Sequence, residues 1–346
     1  MKPFKIFFMR KLARIVKVDN IIKHPNADTL DILTIGGWKV VAKSGLHKED
    51  DLVIYLEIDS FVPTSLAPFL TKEGKQPKEF EGVKGEVLKS IRLRGQISQG
   101  MVIPIRDTPL ANTPLELGQD VSDLLGIKKY EKPLPASLAG NIRCHFPSVV
   151  PKTDAERIQN LSTELDFWKN TNLKFYVTEK LDGTSFSCMK LHEDIHVCSR
   201  NFSLYETAEN TYWQIFRKYD LENVLKSVPS NLAIQGEIIG PGIQENQYGL
   251  SKQELYVFSV YDIDNNRYYS YQEMESFCNT YNLNRVPLVD ILTLDSDTSI
   301  DSLLAKAEGI SVVGPKESER EGLVWRGFET PETCFKTISN KWLMKN

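Results

Sequence analysis

The chain has 346 residues, of which 41% are hydrophobic and 25% are charged, and its formal net charge is −4. This composition is typical of an ordinary globular protein, and the length favours two domains over one. No apolar run approaches the 18 residues that a membrane span needs, and the apolar piece over residues 6–9 is too short to predict a secretory leader. The sequence therefore predicts no membrane contact.

The two parts of the chain differ in charge. Residues 1–130 carry 20 Lys and Arg against 16 Asp and Glu, net +4, whereas residues 131–346 carry 22 against 30, net −8. A basic first part favours contact with a polyanion, although an imbalance of this size also arises by chance. The five cysteines are odd in number and scattered. They predict reduced thiols in an intracellular protein, cytoplasmic or nuclear, rather than a disulfide framework or a zinc site.

Residues 12–106 have the pattern of short β-strands separated by turns. The runs LDILTI, KVVAKS and DLVIYLEI have strand composition, and HPNAD, IGGW and HKEDD have turn composition. About five short strands in such a stretch are typical of a small closed barrel, so we predict an OB-fold over residues 1–130. The segment HPNADTLDILTI resembles the opening of tRNA-binding OB domains.

Basic residues gather late in this barrel, in KSIRLRGQISQG. Arg92 and Arg94 alternate, so we expect both on one face of a strand, with Lys89 just before them and Lys84 nearby. Such a face suits an RNA backbone, and a merely solvated charged face fits the pattern equally well.

A proline-rich stretch over residues 131–152 predicts a linker. After it, TDAERIQNLSTELDFWKN has a cap at Thr153 or Asp154 and apolar residues at helical spacing, which predicts a helix. Strands such as KFYVTEKL and LAIQGEII then alternate with three further predicted helices, over 205–227, 271–281 and 299–308. We therefore predict an α+β domain over residues 153–346.

The segment TEKLDGTSFS, residues 178–187, contains Lys180-Leu181-Asp182-Gly183. Alone, its Asp-Gly pair predicts a tight hairpin turn with the lysine on the solvent face. Downstream follow, in order, SRN, QGEIIGPGIQ, LYVFSVYDI, EGLVWRG and FKTISNKW. Each couples strand composition to a charged or aromatic residue that a plain core strand does not need. Together they resemble motifs I, Ia, III, IIIa, IV and V of the covalent nucleotidyltransferase superfamily, which comprises polynucleotide ligases and mRNA capping enzymes.

Within that superfamily the details resemble ATP-dependent RNA ligases. GEIIGPGIQ is similar to the motif III extension of nick-sealing and RNA-editing ligases. An OB domain ahead of the catalytic domain resembles the fifth RNA-ligase family, whereas DNA ligases and capping enzymes carry theirs after motif V. Only four residues follow Trp342. The resemblance implies an α+β fold class, with an N-terminal OB-fold β-barrel before an ATP-grasp-like ligase domain of antiparallel sheets and flanking helices.

The resemblance implies that Lys180 is the nucleophile that takes AMP from ATP. An ordinary lysine is protonated at pH 7, so we expect positive charge from a metal ion and from Lys336 to lower its pKa. The implied metal ligands are Asp182, Glu237 and Glu321, holding Mg²⁺ or Mn²⁺ through water. Glu237 could instead bind the ribose.

Other side chains are implied to contact the nucleotide. Phe258 stacks on the adenine, with Tyr261 as the alternative, and Glu179 reads the exocyclic amine. Gly183 lets the backbone approach the nucleotide closely. Arg200 contacts the nucleotide or the RNA 5′-phosphate.

Arginine and lysine are further implied to bind the phosphates of ATP, with Arg157 on the triphosphate. Motif V departs from the common Lys-x-Lys pattern, because its second lysine is replaced by Ile338. Lys336 therefore remains as the α-phosphate contact, and Lys341 is the candidate replacement for the missing lysine.

The sequence thus predicts an ATP-dependent RNA ligase. It would join 3′-OH and 5′-phosphate RNA ends through lysyl-AMP and RNA-adenylate, with a nicked duplex as the expected substrate and a monomer as the expected state. The alternative class is a non-catalytic OB-type RNA-binding protein with a decayed transferase domain. Within the enzyme class, a DNA ligase and a guanylyltransferase remain open.

Overall fold

The computed structural model describes residues 10–131 and 140–345. The chain divides into two compact units, Met1–Pro133 with Met344–Asn346, and Leu134–Leu343. In the described ranges no helix combines the length and the apolar character needed to cross a membrane. All five cysteines are free thiols.

The first unit is built from short strands: β1 (Ala13–Lys17), β2 (Asn20–Lys23), β3 (Leu30–Ile35), β4 (Trp38–Lys43), β5 (Leu52–Leu56), β6 (Ser60–Pro63), β7 (Lys78–Phe80), β8 (Val83–Val87), β9 (Ile91–Leu93), β10 (Gln96–Ser98), β11 (Met101–Pro104) and β12 (Lys128–Lys129). Their sheets run β1-β5-β11, β2-β3-β4, β9-β10 and β12-β6-β8-β7. The predicted strand LDILTI is β3, and the predicted strand KVVAKS corresponds to β4, which begins one residue earlier and ends at Lys43. Ile35 pairs with Trp38 across the predicted IGGW turn.

Strand β5 lies at the centre of this unit and is buried on both faces. Ile54 and Leu56 pack in one hydrophobic cluster, whereas Val53 and Tyr55 pack in another, around Trp38. Alternate residues of a strand point to opposite faces, so the nearly continuous apolar run VIYL is what a strand between two cores requires.

The second unit contains strands and helices in alternation. Its strands are β13 (Ile142–His145), β14 (Glu156–Arg157), β15 (Lys174–Lys180), β16 (Thr184–Leu191), β17 (Asp194–Cys198), β18 (Phe202–Leu204), β19 (Leu232–Ile239), β20 (Glu254–Asp262), β21 (Arg267–Tyr268), β22 (Leu288–Thr293), β23 (Gly322–Gly327) and β24 (Cys334–Ile338). Its helices are α1 (Ser162–Asn170), α2 (Thr211–Lys218), α3 (Leu221–Ser227), α4 (Tyr271–Thr280), α5 (Ile300–Ala307) and α6 (Asn340–Leu343).

Two sheets organise this unit. A seven-stranded sheet runs β13-β18-β17-β16-β19-β20-β21, and a five-stranded sheet runs β14-β24-β23-β15-β22. Strand β15 lies between β23 and β22 in the second sheet and is apolar on both faces. Tyr176 joins the core of the seven-stranded sheet, whereas Phe175 and Val177 join a cluster under α1 and α5. This double burial fixes the direction in which β15 delivers its last residue, Lys180.

The helix predicted from Thr153 begins later than expected. Glu156 and Arg157 form β14, a parallel strand beside Phe335 and Lys336, and α1 starts only at Ser162. The prediction is wrong over 153–161 because the apolar spacing there serves a strand and a 3₁₀ turn that bury Ile158 and Leu161. The spacing alone could not distinguish these arrangements.

The other predicted helices are present. The prediction over 205–227 corresponds to α2 and α3, which are separated at Asp220, whose φ is 50°. Helices α4 and α5 match the predictions closely, and a capping box of Ser270 and Glu273 starts α4.

Part of the predicted linker belongs to the second unit. Within 131–152, strand β13 pairs with β18, and Val150 is buried against Met189 and Tyr261. Residues 132–139 of the predicted linker lie outside the described residues.

Candidate active site

Lys180 is the last residue of β15, at the end of the five-stranded sheet. Its strand partner is Gly322, the first residue of β23, and its Nζ lies 2.6 Å from Oε2 of Glu321. The Lys180 side chain is 28% exposed and that of Glu321 is 11% exposed. The ammonium and the carboxylate therefore form a largely buried pair in which the lysine retains access from one side.

The segment after Lys180 is not a hairpin. Strand β15 belongs to the five-stranded sheet, and β16 belongs to the seven-stranded sheet, where it pairs with β17 and β19. Residues Leu181, Asp182 and Gly183 carry the chain from one sheet to the other. The hairpin indicated by Asp-Gly is wrong because β15 and β16 do not pair with each other: β15 pairs with β22 and β23, and β16 pairs with β17 and β19.

Packing within the protein requires a glycine at position 183. A Cβ at this position would lie 2.3 Å from the carbonyl oxygen of Ile238 and 2.9 Å from Cγ of Glu237. The close approach is therefore to strand β19, whereas the sequence interpretation assigned it to the nucleotide.

Three carboxylates act on Lys180. Burial disfavours its ammonium form, yet Glu321, Glu237 and Asp182 together outweigh burial and raise the pKa of Lys180. This rise comes from the protein's own groups, and the lowering expected from a metal ion and Lys336 stays a prediction. Burial raises the pKa of Glu237 to about 8, with Glu321 and Asp182 adding to the rise and Lys180 opposing it. The site thus gathers three acidic side chains around Lys180, and the charge of Arg200 also acts on Glu237.

Oxygen donors of this kind suit Mg²⁺ or Mn²⁺. Asp182, Glu237 and Glu321 supply hard oxygen donors of the kind that such ions bind, and Glu321 and Asp182 lie close enough to Glu237 to raise its pKa. Within 10–131 and 140–345, no group of three or more His, Cys, Asp or Glu is gathered closely enough to hold an ion directly. The chemistry of the three carboxyl groups fits such an ion, and the site itself stays a prediction.

Lys336 and Arg157 lie beside one another on the sheet that carries Lys180. Arg157 pairs with Lys336, Lys336 with Val324, and Val324 with Thr178, two residues before Lys180. Since side chains two residues apart on a strand share a face, the side chains of Lys336 and Lys180 are directed to the same side of the sheet.

Glu179 lies next to Lys180 and is buried. The Val312 amide donates to its Oε2 at 3.3 Å, whereas its Oε1 is buried without a hydrogen-bond partner in the described structure. Burial raises the pKa of Glu179, opposed by hydrogen bonds from Ser311 and Val312 and by the charge of Arg320. An unsatisfied acceptor of this kind fits an amino group supplied by a ligand, since an unmade buried hydrogen bond is costly.

The structure separates the two aromatic candidates. A β-bulge in β20 leaves Phe258 unpaired opposite β19, and its half-buried ring packs with the cluster that contains Leu181 and Tyr248. Such bulges re-aim side chains next to functional sites. Tyr261 is instead 2% exposed in the cluster with Val150 and Met189.

Two predicted phosphate-binding residues make surface ion pairs. Arg200 follows β17 and pairs with Asp154, and Lys341 on α6 lies 2.7 Å from Glu308. Both basic side chains are at least half exposed.

In the first unit, Lys89, Arg92 and Arg94 are exposed. The prediction that both arginines share a strand face is wrong. Strand β9 ends at Leu93, and Arg94 forms with Gly95 the two-residue turn to β10, with φ values of 44° and 91°. Positive φ at both positions is typical of a type I′ hairpin.

The predicted HPNAD turn supports this basic hairpin. The His24 ring donates through Nε2 to the Leu93 carbonyl at 3.0 Å, and Nδ1 accepts the Asn26 amide at 3.1 Å. The Asn26 side chain donates to the Arg94 carbonyl at 3.0 Å. These bonds fix the hairpin tip relative to the turn between β2 and β3.

Sequence reasoning missed two residues at the Lys180 segment. The Tyr248 hydroxyl accepts the backbone N–H of Asp182 at 2.6 Å, and the Gln244 side chain donates to the Gly183 carbonyl at 3.2 Å. Both residues follow QGEII in the sequence. Their position beside motif III was therefore the one sequence feature that could have pointed to them. Nothing local distinguishes them from other polar loop residues.

Both parts of the chain are similar to known proteins. Residues 173–342 match the family model for RNA ligase, and residues 12–105 match a model for an OB-fold domain. A search of curated proteins finds no match. Naegleria gruberi RNA ligase solved with PPi is 38% identical, with a TM-score of 0.88, and the match covers 97% of this chain and 99% of that one.

Solved variants of the same Naegleria gruberi enzyme are similar to this chain to the same degree. Variants of Naegleria gruberi RNA ligase solved with ATP and Mn and with AMP and Mn are 38% and 37% identical to this chain, both with a TM-score of 0.88. They cover 97% of this chain, and 99% of each is covered.

The fold and site therefore define a nucleotidyltransferase-type ligase preceded by an OB-fold domain. The chain belongs to the RNA ligase family, and the predictions of the α+β fold class, the OB-fold and an RNA ligase are confirmed. The family assignment favours an RNA ligase over the DNA ligase, guanylyltransferase and non-catalytic readings.

Proposed function

We propose that this RNA ligase uses ATP and a divalent cation to seal 3′-OH and 5′-phosphate ends in nicked duplex RNA. The observation that carries the proposal is Lys180, which stands at a strand end, paired with Glu321 and under the influence of Glu237 and Asp182. The Naegleria gruberi RNA ligase solved with ATP and Mn supports the same choice of nucleotide and ion.

The reaction has three steps in this proposal. Nζ of Lys180, as the neutral amine, forms a bond to the α-phosphorus of ATP while the bond to pyrophosphate breaks, giving lysyl-AMP. The RNA 5′-phosphate oxygen then takes the AMP from Lys180 and becomes RNA-adenylate. Finally the 3′-OH attacks that 5′-phosphorus, loses its proton and releases AMP.

The chain's own residues prepare the first step. Without a bound cation, the carboxylates keep Lys180 protonated and paired with Glu321. A divalent ion held by Asp182, Glu237 and Glu321 would offset that negative charge, favour the neutral amine and neutralise phosphate oxygens. Lys336, directed to the same side of the sheet, contacts the α-phosphate, with Arg157 beside it on the triphosphate.

The nucleotide base is proposed to lie between Glu179 and Phe258. The unpartnered Oε1 of Glu179 would accept the adenine exocyclic amine, which favours ATP over GTP. The half-exposed Phe258 ring would stack on the base. Arg200 and Lys341 remain candidates for phosphate contact, and each would have to leave its present ion pair.

Cellular location, oligomeric state and domain boundaries are also proposals. Free thiols at all five cysteines support an intracellular location, and we propose a monomer that acts through two domains, about 1–130 and 153–346.

Covalent labelling tests the function. Incubated with α-labelled ATP and Mn²⁺ and then denatured, the wild-type protein should retain label, whereas Lys180→Ala should retain none. Lys174→Ala, which removes an exposed lysine at the start of the same strand, is the control and should label normally. The proposal would be refuted if Lys180→Ala retained as much label as the wild type, or if the wild type retained none. Sealing of RNA-ended against DNA-ended nicks then defines the substrate.

A second prediction concerns the basic hairpin. Combining Arg92→Ala with Arg94→Asn, where asparagine tolerates the positive φ, should lower RNA affinity and reduce the slope of log K against log salt by about 1 to 2. Fluorescence anisotropy at several salt concentrations measures both. Adenylylation of Lys180 should not change.

The control for this pair is Lys75→Ala, an exposed lysine elsewhere in the first unit. If it alters the salt slope as much as the arginine variant, binding is due to general positive charge and the hairpin has no special role.

A further inference from the structure

The loop that joins β19 to β20, residues 240–253, contacts the segment that follows Lys180 at two consecutive peptide groups. The Tyr248 hydroxyl accepts the N–H of Asp182 at 2.6 Å, and Gln244 Nε2 donates to the carbonyl of Gly183 at 3.2 Å. Asp182 is one of the proposed cation ligands, and Lys180 lies two residues before it.

The 240–253 loop is itself braced. The Gln253 side chain donates to the Pro241 carbonyl at 2.8 Å. The Asn246 side chain donates through Nδ2 to the Leu250 carbonyl and accepts the Leu250 N–H at Oδ1. At Gly240 φ is 127°, and a Cβ there would lie 2.7 Å from the Lys252 carbonyl. A loop closed on itself in this way can hold another segment in place, because little of it is free to move.

Tyr248 also contacts a third segment, residues 309–320, in addition to its own loop and the segment after Lys180. Its ring is 1% exposed and packs with Leu181 and Val313, and its carbonyl accepts the Lys316 amide at 3.3 Å. The chain at 309–320 thus packs on Tyr248, and this stretch also supplies the Val312 amide to Glu179. Gly314 is needed there, because a Cβ would lie 2.2 Å from the Tyr248 carbonyl oxygen.

We propose that Tyr248, assisted by Gln244, is a positioning residue for lysine adenylylation. It fixes the peptide groups of Asp182 and Gly183, and so orients Lys180 and the Asp182 carboxylate before nucleotide and cation bind. Tyr248 touches no reacting atom in this role. The inference rests on the proposed function, because it takes Lys180 as the nucleophile and Asp182 as a cation ligand.

The test compares two matched tyrosines. Tyr248→Phe keeps the packed ring and removes the hydroxyl. The control is Tyr219→Phe, whose hydroxyl likewise accepts a backbone N–H, that of Leu255 at 3.2 Å, but outside the Lys180 segment. The first readout is amide hydrogen exchange of the 181–183 segment without ligands. Exchange should be about 3- to 10-fold faster in Tyr248→Phe and unchanged in Tyr219→Phe, as loss of one hydrogen bond implies.

The second readout is the rate of AMP transfer to Lys180 as a function of Mn²⁺ concentration. Tyr248→Phe should need about 3- to 10-fold more Mn²⁺ for half-maximal rate, whereas a merely structural role would leave that concentration unchanged. Gln244→Asn, one methylene shorter and suited to the φ of 44°, should shift it in the same direction by about 2-fold. Because Gln244 is exposed, this variant keeps the test available should Tyr248→Phe unfold.

Identical exchange and Mn²⁺ dependence in Tyr248→Phe and Tyr219→Phe would overturn the positioning role and leave the proposed function intact. A wild-type protein that forms no adduct, or one whose adduct survives Lys180→Ala, would overturn the proposed function and this inference with it.

Discussion

Replacing Glu321 with glutamine is expected to slow the transfer of AMP to Lys180 by roughly 100-fold or more, as removal of a preorganised charged group from an active site does. Glu321 Oε2 lies 2.6 Å from Nζ of Lys180 and belongs to the proposed set of cation ligands. Single-turnover labelling with α-labelled ATP at several pH values measures the change.

The dependence on pH distinguishes two roles of Glu321. This carboxylate raises the pKa of Lys180, so Glu321→Gln lowers that pKa and increases the fraction of neutral amine at any pH below it. If Glu321 served only to hold the ammonium, the variant would react faster, most clearly on the acid side of the profile. A slower reaction at every pH supports the role in binding the cation.

Asp290→Asn is a matched control. Asp290 Oδ2 lies 2.6 Å from Nζ of Lys306, the same separation as in the Lys180 pair, but both side chains are over a third exposed. Exposed ion pairs contribute little, so labelling should stay within about twofold of wild type. If this variant lost as much activity as Glu321→Gln, the effect of the glutamate would be a general consequence of removing an ion pair.

Gly183→Ala is expected to destabilise the protein by about 1–3 kcal/mol even without nucleotide, as overpacking of a tight contact does. The added Cβ would lie 2.3 Å from the Ile238 carbonyl and 2.7 Å from Cγ2 of Ile239. Strand β16 must then shift from β19, and this shift also displaces Asp182 and Lys180. Thermal unfolding of the ligand-free protein and covalent labelling should therefore both be impaired.

The control for this substitution is Gly140→Ala, where an added Cβ meets nothing within 4 Å. It should leave the melting temperature and the labelling unchanged. If Gly183→Ala unfolds like wild type and loses only its affinity for ATP, the glycine serves the nucleotide, as the sequence interpretation held, and the packing explanation fails.

Much of the candidate site could be predicted from local sequence. Lys180, Asp182, Glu237, Glu321 and Lys336 each lie in a short run whose strand composition conflicts with a charged residue, and the order of these runs carries the resemblance to ligases. The strand patterns of β3, β4 and β15 and the helices α4 and α5 follow from alternation, helical spacing and caps.

The tertiary structure decided what depends on distant partners. The Asp-Gly segment joins two sheets because β15 pairs with β22 and β23, and β16 pairs with β19, choices that no local pattern encodes. Arg157 became a strand residue beside Lys336 for the same reason, since β24 lies far away in sequence.

By itself the sequence determined which chemistry the chain carries, because reactive side chains stand out locally against their strands. How that chemistry is held became visible only in three dimensions. Tyr248 and Gln244 bond to backbone groups of Asp182 and Gly183 from more than 60 residues away. Every residue presents the same N–H and carbonyl groups, so such bonds leave no mark on composition or spacing.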